Sequence, residues 1–193
     1  MRELGFGALQ LWQGLSEAQG RGFGDRELAI MFTDIVEFSS WALSAGDEAA
    51  LELLRAADLV LAASIEGRRG SVVKRLGDGV MAVFGDPADA LDAAHEACAE
   101  VAGVEVHGYR PSLRAGIHLG RPRRLGGDYF GVDVNIAARV AAAASAGEVL
   151  VSEPLRRRVD PEGHTFQPRP SFQAKGAPPD LAVYRAEPVG RDD

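Results

Sequence analysis

The chain has 193 residues, 46% hydrophobic and 25% charged, with 21 Lys and Arg against 28 Asp and Glu, a net charge of -7. Such a composition fits one ordinary globular domain and excludes wholesale disorder, while the acidic balance argues against a nucleic-acid or anionic-membrane binder. A single cysteine, Cys98, excludes an intramolecular disulfide framework and a thiolate metal cluster.

Met1-Arg2-Glu3-Leu4 opens no secretory leader, and charge interrupts every apolar stretch short of bilayer length, so a cytoplasmic location without a membrane segment is expected. Residues 1–26 read as a lead-in helix and linker, with Leu4, Leu9, Leu11, Trp12 and Leu15 on one face and glycines weakening it. A partly disordered tail fits the same residues. The main domain is expected over 27–187, followed by a tail at 188–193.

The first strand is expected at 28–33, an apolar run ending at Asp34. A helix follows over about 47–65, stopped by Gly67 and Gly70. Residues 71–76 and 80–84 flank Gly77-Asp78-Gly79 and read as a β-hairpin. Asp86-Pro87 supplies an N-cap with Pro at the first helical position, opening a helix to about 102. Then come a strand at 113–119, an Ala-rich helix at 132–144 and a strand at 148–151. A short helix around Leu155 and strands near 166–172 and 181–184 complete the chain. The order is β-α-β-β-α-β, which predicts an α+β fold with a ferredoxin-like core and C-terminal additions.

Two carboxylates stand out. Asp34 ends the first strand and Asp78 sits at the hairpin tip, and a β-α-β-β order can lay those elements side by side. Paired carboxylates at strand ends can hold divalent cations for displacement at phosphorus. Each also fits a plainer role alone, Asp34 as a helix cap and Asp78 as a turn residue. Lys74 lies four strand residues before Asp78, about 13 Å at ~3.3 Å per residue, too far for a salt bridge. It therefore needs another partner, unless it is simply solvated. Backbone N–H groups after Asp34, through Phe38 and Ser39, could cradle phosphate. Asn135 and Arg139 are four apart and share a helix face, where an amide and a guanidinium suit a sugar oxygen and a phosphoryl charge. An ordinary polar stripe reads the same way. His95, His107, His118 and His164 show no metal-ligand spacing, no Ser-His-Asp grouping is evident, and Cys98 reads as a helical core thiol.

Taken together, residues 30–36, 74–84, 116–120 and 127–139, supported by 148–152 and Lys175-Gly176, resemble the catalytic domain of class III nucleotidyl cyclases, best the bacterial adenylate cyclases. The motifs include Thr33-Asp34-Ile35-Val36, Leu76-Gly77-Asp78-Gly79, Gly116-Ile117-His118-Leu119-Gly120 and Asn135-Ile136-Ala137-Ala138-Arg139. The resemblance implies conversion of ATP to 3′,5′-cyclic AMP and pyrophosphate with two divalent ions, Mg²⁺ or Mn²⁺. Asp34, Asp78 and the Ile35 carbonyl would hold the metals. Lys74 and Asp128 would select the base, because adenine offers an acceptor at N1 and a donor at N6. Asn135 would orient the ribose and Arg139 would stabilise the α-phosphate charge. Phe38, Ser39, Arg121 and Lys175 would touch the triphosphate.

The resemblance also implies a head-to-tail homodimer whose sites draw on both chains. Asp34 and Asp78 would come from one chain, and Lys74, Asp128, Asn135 and Arg139 from the other. Two departures stand out: Glu37 occupies a position often held by Gly in the phosphate-binding turn, and the stretch from Gly120 to Asp128 is short, which predicts a reduced arm and a weak dimer. A catalytically silent nucleotide-binding module is the alternative. A guanylate cyclase is disfavoured by Lys74 and Asp128, and a polymerase palm by the Asn135/Arg139 helix.

Overall fold

The computed structural model describes residues 26–160, 162–170, 172, 178 and 181–190. The lead-in segment up to residue 25 and Lys175 lie outside them. Nine strands and five helices follow in chain order among the described residues: β1 (Leu28–Ile35), α1 (Phe38–Ala45), α2 (Asp47–Gly67), β2 (Ser71–Leu76), β3 (Gly79–Phe84), α3 (Pro87–Gly103), β4 (Leu113–Gly120), β5 (Arg123–Leu125), β6 (Asp128–Phe130), α4 (Val132–Ala142), β7 (Val149–Ser152), α5 (Glu153–Arg156), β8 (His164–Pro168) and β9 (Val183–Pro188).

Seven strands form one sheet in the order β2-β3-β1-β4-β7-β9-β8. The first four give the expected ferredoxin-like core, with β3 antiparallel to both β1 and β2, and β1 antiparallel to β4. The C-terminal additions extend it: β7 joins β4 in parallel, then β9 and β8 follow antiparallel. The last two strands are displaced from their expected spans, and β9 runs one residue past the expected domain end at 187.

Alternation along β1 divides the core into two layers. Ala29, Met31 and Ile35 pack with Ala57, Leu61 and Ile65 of α2 and with Leu91, Ala94 and Ala97 of α3. Ile30 and Phe32 face the opposite way, onto Val134, Ala137, Ala138 and Ala141 of α4. The helices thus sandwich the sheet, and α4, with Tyr129 of β6 beside it, covers the second face of its central strands.

Two glycines set close approaches. A Cβ at Gly79 would overlap the Thr33 carbonyl oxygen, so the β2–β3 turn can press against the end of β1 only with glycine there. The Val80 N–H donates to Thr33 Oγ1 at 3.1 Å and fastens the same junction. A Cβ at Gly116 would overlap the Val140–Ala141 backbone, so α4 lies directly on β4.

Two elements escaped the sequence reading. Helix α1 occupies what reads as a link, and a β5–β6 ribbon turns on Gly126-Gly127, both at positive φ. Cys98 is a core thiol as expected, packed against the larger cluster, and burial pushes its pKa up to about 11.

Gly116→Ala should cost about 1–3 kcal/mol, the usual penalty for overpacking a tight core. Urea denaturation should show a lower midpoint with an unchanged slope, because the fold survives while α4 is pushed outward.

Candidate active site

Register builds the first cluster. In the antiparallel β1–β4 pairing Asp34 stands opposite Arg114. The Arg114 Nε donates to Asp34 Oδ2 at 2.8 Å, and its Nη2 donates to the same oxygen. On the other side of β1, the Gly77-Asp78 turn brings Asp78 against Asp34. Burial pushes the Asp78 carboxyl up to about 7, and the Asp34 charge and a hydrogen bond with Asp34 push the same way. Its own backbone hydrogen bond and Arg114 pull back only partly. The expected pairing of these two carboxylates is therefore present, and two like charges are crowded at one end of the sheet.

That crowding is the test of whether the residues suit a divalent cation. Two carboxylates and a main-chain carbonyl are hard oxygen donors of the kind Mg²⁺ and Mn²⁺ prefer, and a cation would relieve the repulsion that raises the Asp78 pKa. The residues fit. Ile35 buries its side chain in the core and can offer only its carbonyl. No group of three or more acidic, His or Cys side chains suited to a metal occurs among the described residues, so further ligands would have to come from backbone, solvent or phosphate.

Phe38 and Ser39 open α1 immediately beyond this cluster. Glu37, the residue before them, is left-handed at φ 59° and ψ 17°, and its side chain caps nothing. The backbone thus takes the conformation glycine favours, at the position often held by Gly in the family the sequence resembles, at a strain of about 1–3 kcal/mol.

Lys74 has the separate partner that its spacing from Asp78 required. Its Nζ donates to Asp128 Oδ2 at 2.6 Å, linking β2 to β6, and sits 5.7 Å from the Phe130 ring centroid. Both side chains are partly buried, and desolvation holds the Lys74 pKa below the usual range despite Asp128. Asn135 is buried in α4, and Arg139 follows one turn later. Arg121 lies just past the end of β4 with its side chain exposed, while its backbone N–H donates to Asp133 Oδ2 at 2.7 Å.

Two features were missed. Arg114 was overlooked because its importance comes from register, although alternation with Gly116 and His118 on a predicted strand offered a signal. A Ser-His-Asp chain exists after all: His118 Nδ1 bonds Ser152 Oγ at 2.8 Å and His118 Nε2 bonds Asp133 at 3.4 Å. Ser152 is fully buried, so this chain is no hydrolytic triad.

Residues 24–186 match the adenylate and guanylate cyclase catalytic domain family, and the chain belongs to it. It is 34% identical over 148 residues to a pH-sensitive adenylate cyclase of Mycobacterium tuberculosis, covering 75% of this chain and 36% of the relative. It is 35% identical over 127 residues to an adenylate cyclase of Streptomyces coelicolor, covering 66% and 32%. The chain thus spans about a third of the length of these curated relatives. Among solved structures, the adenylyl cyclase CyaB of P. aeruginosa superposes with a TM-score of 0.71 at 23% identity, covering 86% of this chain and 96% of that one. The catalytic core of a rhodopsin-guanylyl cyclase with converted specificity, in complex with ATPαS, gives 0.78 at 18% identity, covering 85% and 97%.

The Asp78 pKa fixes a pH dependence. A carboxyl that binds its proton more tightly folded than unfolded leaves stability intact below about 4 and lowers it as pH rises through about 7. In EDTA the melting temperature should fall across that window, Asp78→Asn should flatten the fall, and added Mn²⁺ should reverse it at pH 8. An unchanged slope in the variant would show that Asp78 carries no such penalty.

Proposed function

We propose that the protein is an adenylate cyclase that converts ATP to 3′,5′-cyclic AMP and pyrophosphate. The observation that carries this reading is the Asp34–Asp78 pair, two carboxylates crowded together at the end of the sheet beside a phosphate-suited helix start. The 3′-oxygen attacks the α-phosphorus, its proton passing to solvent or to a substrate phosphate; a new phosphodiester bond forms, and the bond to the pyrophosphate oxygen breaks. Two divalent ions held by Asp34, Asp78 and the Ile35 carbonyl would supply activation of the 3′-hydroxyl and neutralisation of phosphoryl charge.

The chain's own groups bind and orient. Lys74 donates to adenine N1 and Asp128 accepts from the N6 amine, each exchanging its present partner for the base. Asn135 holds the ribose, so the 3′-oxygen starts near its target. Arg139 meets the charge that grows on the α-phosphate. Backbone N–H groups of Phe38 and Ser39, with Arg121 and Lys175, contact the triphosphate. Arg114 adds a cation beside Asp34.

The active form is a head-to-tail homodimer in which Asp34 and Asp78 of one chain face Lys74, Asp128, Asn135 and Arg139 of the other. Leu125 and Val132, 62% and 55% exposed, flank the β5–β6 ribbon beside the start of α4 and offer apolar surface to that partner. The short ribbon makes the dimer weak. No helix among the described residues is long and apolar enough to cross a membrane. The reaction draws on ATP and so belongs in the cytoplasm.

Purified protein with ATP and Mg²⁺ or Mn²⁺ should form cyclic AMP, with specific activity rising with protein concentration, and should use GTP poorly. Asp34→Ala and Arg139→Ala should each be inactive, and mixing them should restore activity through one intact composite site. Absence of cyclic product at concentrations where sedimentation shows a dimer would overturn the cyclase reading in favour of a silent module. Absence of recovery in a verified heterodimer would overturn the shared site.

A further inference from the structure

Helix α4 carries both Asn135 and Arg139, and β4 grips it at both ends. At the C-terminal end Arg114 Nη1 donates to the Ala142 and Ala144 carbonyls at 3.3 and 3.4 Å while its other nitrogens hold Asp34. At the N-terminal end the grip is Asp133. Its Oδ2 accepts the Arg121 N–H at 2.7 Å, and its Oδ1 accepts from His118 Nε2 at 3.4 Å. His118, 4% exposed, is braced in turn by Ser152 of β7.

Gly120 completes this end, because a Cβ there would overlap the Asp133 carboxylate. Burial alone would raise the Asp133 pKa, but His118 and the Arg121 N–H outweigh it and hold the carboxyl below its usual range. The carboxylate therefore enters a prepared site, two residues from Asn135 and bonded to the backbone of Arg121.

We propose that Asp133, held by His118 and Ser152, is a positioning residue for the reaction. It fixes the first turn of α4 against the end of β4, which sets Asn135 in place for the ribose. Asp133 touches no substrate atom in this scheme. Its side chain turns to His118 and the Arg121 N–H at the end of β4, and its effect reaches the ribose through backbone. A carboxylate is required because it accepts from two donors at once. An amide presents one acceptor and one donor, so one of the two bonds is lost. The inference rests on the cyclase reading for its catalytic consequence, but the mechanical link can be read without turnover.

The test pairs Asp133→Asn with Gly120→Ala, which crowds the carboxylate without removing charge. In wild type, hydrogen exchange should show the Arg121 amide and residues 132–136 protected further by a non-hydrolysable ATP analogue. In both variants that protection should be lost, with the 140–144 end unchanged. The kcat for cyclic AMP formation should fall on the order of 10- to 100-fold, the scale of a small misplacement of reacting groups. KM should stay within about threefold, and the melting temperature should fall by no more than the few degrees that one lost hydrogen bond or one crowded contact costs.

An unchanged kcat despite faster exchange overturns the proposal. So does a kcat loss that merely follows a collapse in melting temperature, which would make Asp133 a structural residue. If the wild type forms no cyclic nucleotide, the cyclase reading fails instead. The exchange arm then decides the link alone: analogue protection that survives in Asp133→Asn overturns it, and protection lost in both variants supports it.

Discussion

The site depends on an antiparallel register that sets three charged side chains at one end of the sheet. Strand β1 lies between β3 and β4, so its terminal Asp34 has the Asp78 turn on one side and Arg114 on the other. Packing of the two core layers enforces this, because slipping β1 by one residue would turn Ile30 and Phe32 away from α4 and expose Met31 to the wrong layer. Electrostatics alone would oppose the arrangement. Burial, with the charge of Asp34 beside it, raises the Asp78 pKa to about 7, and its backbone hydrogen bond and one guanidinium offset only part of that cost. The hydrophobic core thus holds a like-charge pair that water would separate, as sites built for cation binding do.

The same strand governs the other half of the site. On the face of β4 toward α4 stand Arg114, Gly116, His118 and Gly120, two large polar groups alternating with two absent side chains. The glycines let the helix approach to backbone contact, and the polar residues pin its ends. Arg114 serves both halves, since one guanidinium reaches Asp34 and the carbonyls that end α4. A shift of that helix would therefore be felt at the carboxylate pair.

Much of this was legible in the residues. The β-α-β-β-α-β order, the hairpin at Gly77-Asp78-Gly79 and the Asp86 cap with Pro87 all rest on local chemistry, and each took the expected form. Helix α1 was invisible because its signals are weak: three serines in eight residues, no side-chain cap, and a start through a left-handed Glu37. The β5–β6 ribbon has strands of three residues, too short for alternation to register. Arg114 and the His118–Asp133–Ser152 chain were overlooked for a different reason. Strand alternation puts Arg114 and His118 on one face, but their partners lie 80, 15 and 34 residues away and are named only by strand register. The Lys74–Asp128 pair spans 54 residues. Spacing excluded Asp78 as the partner of Lys74 but left a solvated lysine open, and only the family resemblance set it with Asp128.

Under the proposed function, that last pair bears on how the site would discriminate between bases. Lys74 and Asp128 bond each other at 2.6 Å in the chain alone, partly buried against Phe130. A lone ammonium or carboxylate there would suffer the desolvation that already lowers the Lys74 pKa. Their mutual bond offsets that cost, and an entering base must replace it with bonds at least as good. Adenine can, with an acceptor for the ammonium and a donor for the carboxylate. Guanine presents the opposite pattern and would leave both charges facing groups of the wrong sense. Selectivity of this kind comes less from attraction to the right base than from the penalty for breaking the pair without replacing it. Under the proposed function the fold would enforce that penalty by placing the two residues on different elements, β2 and β6, which are in contact.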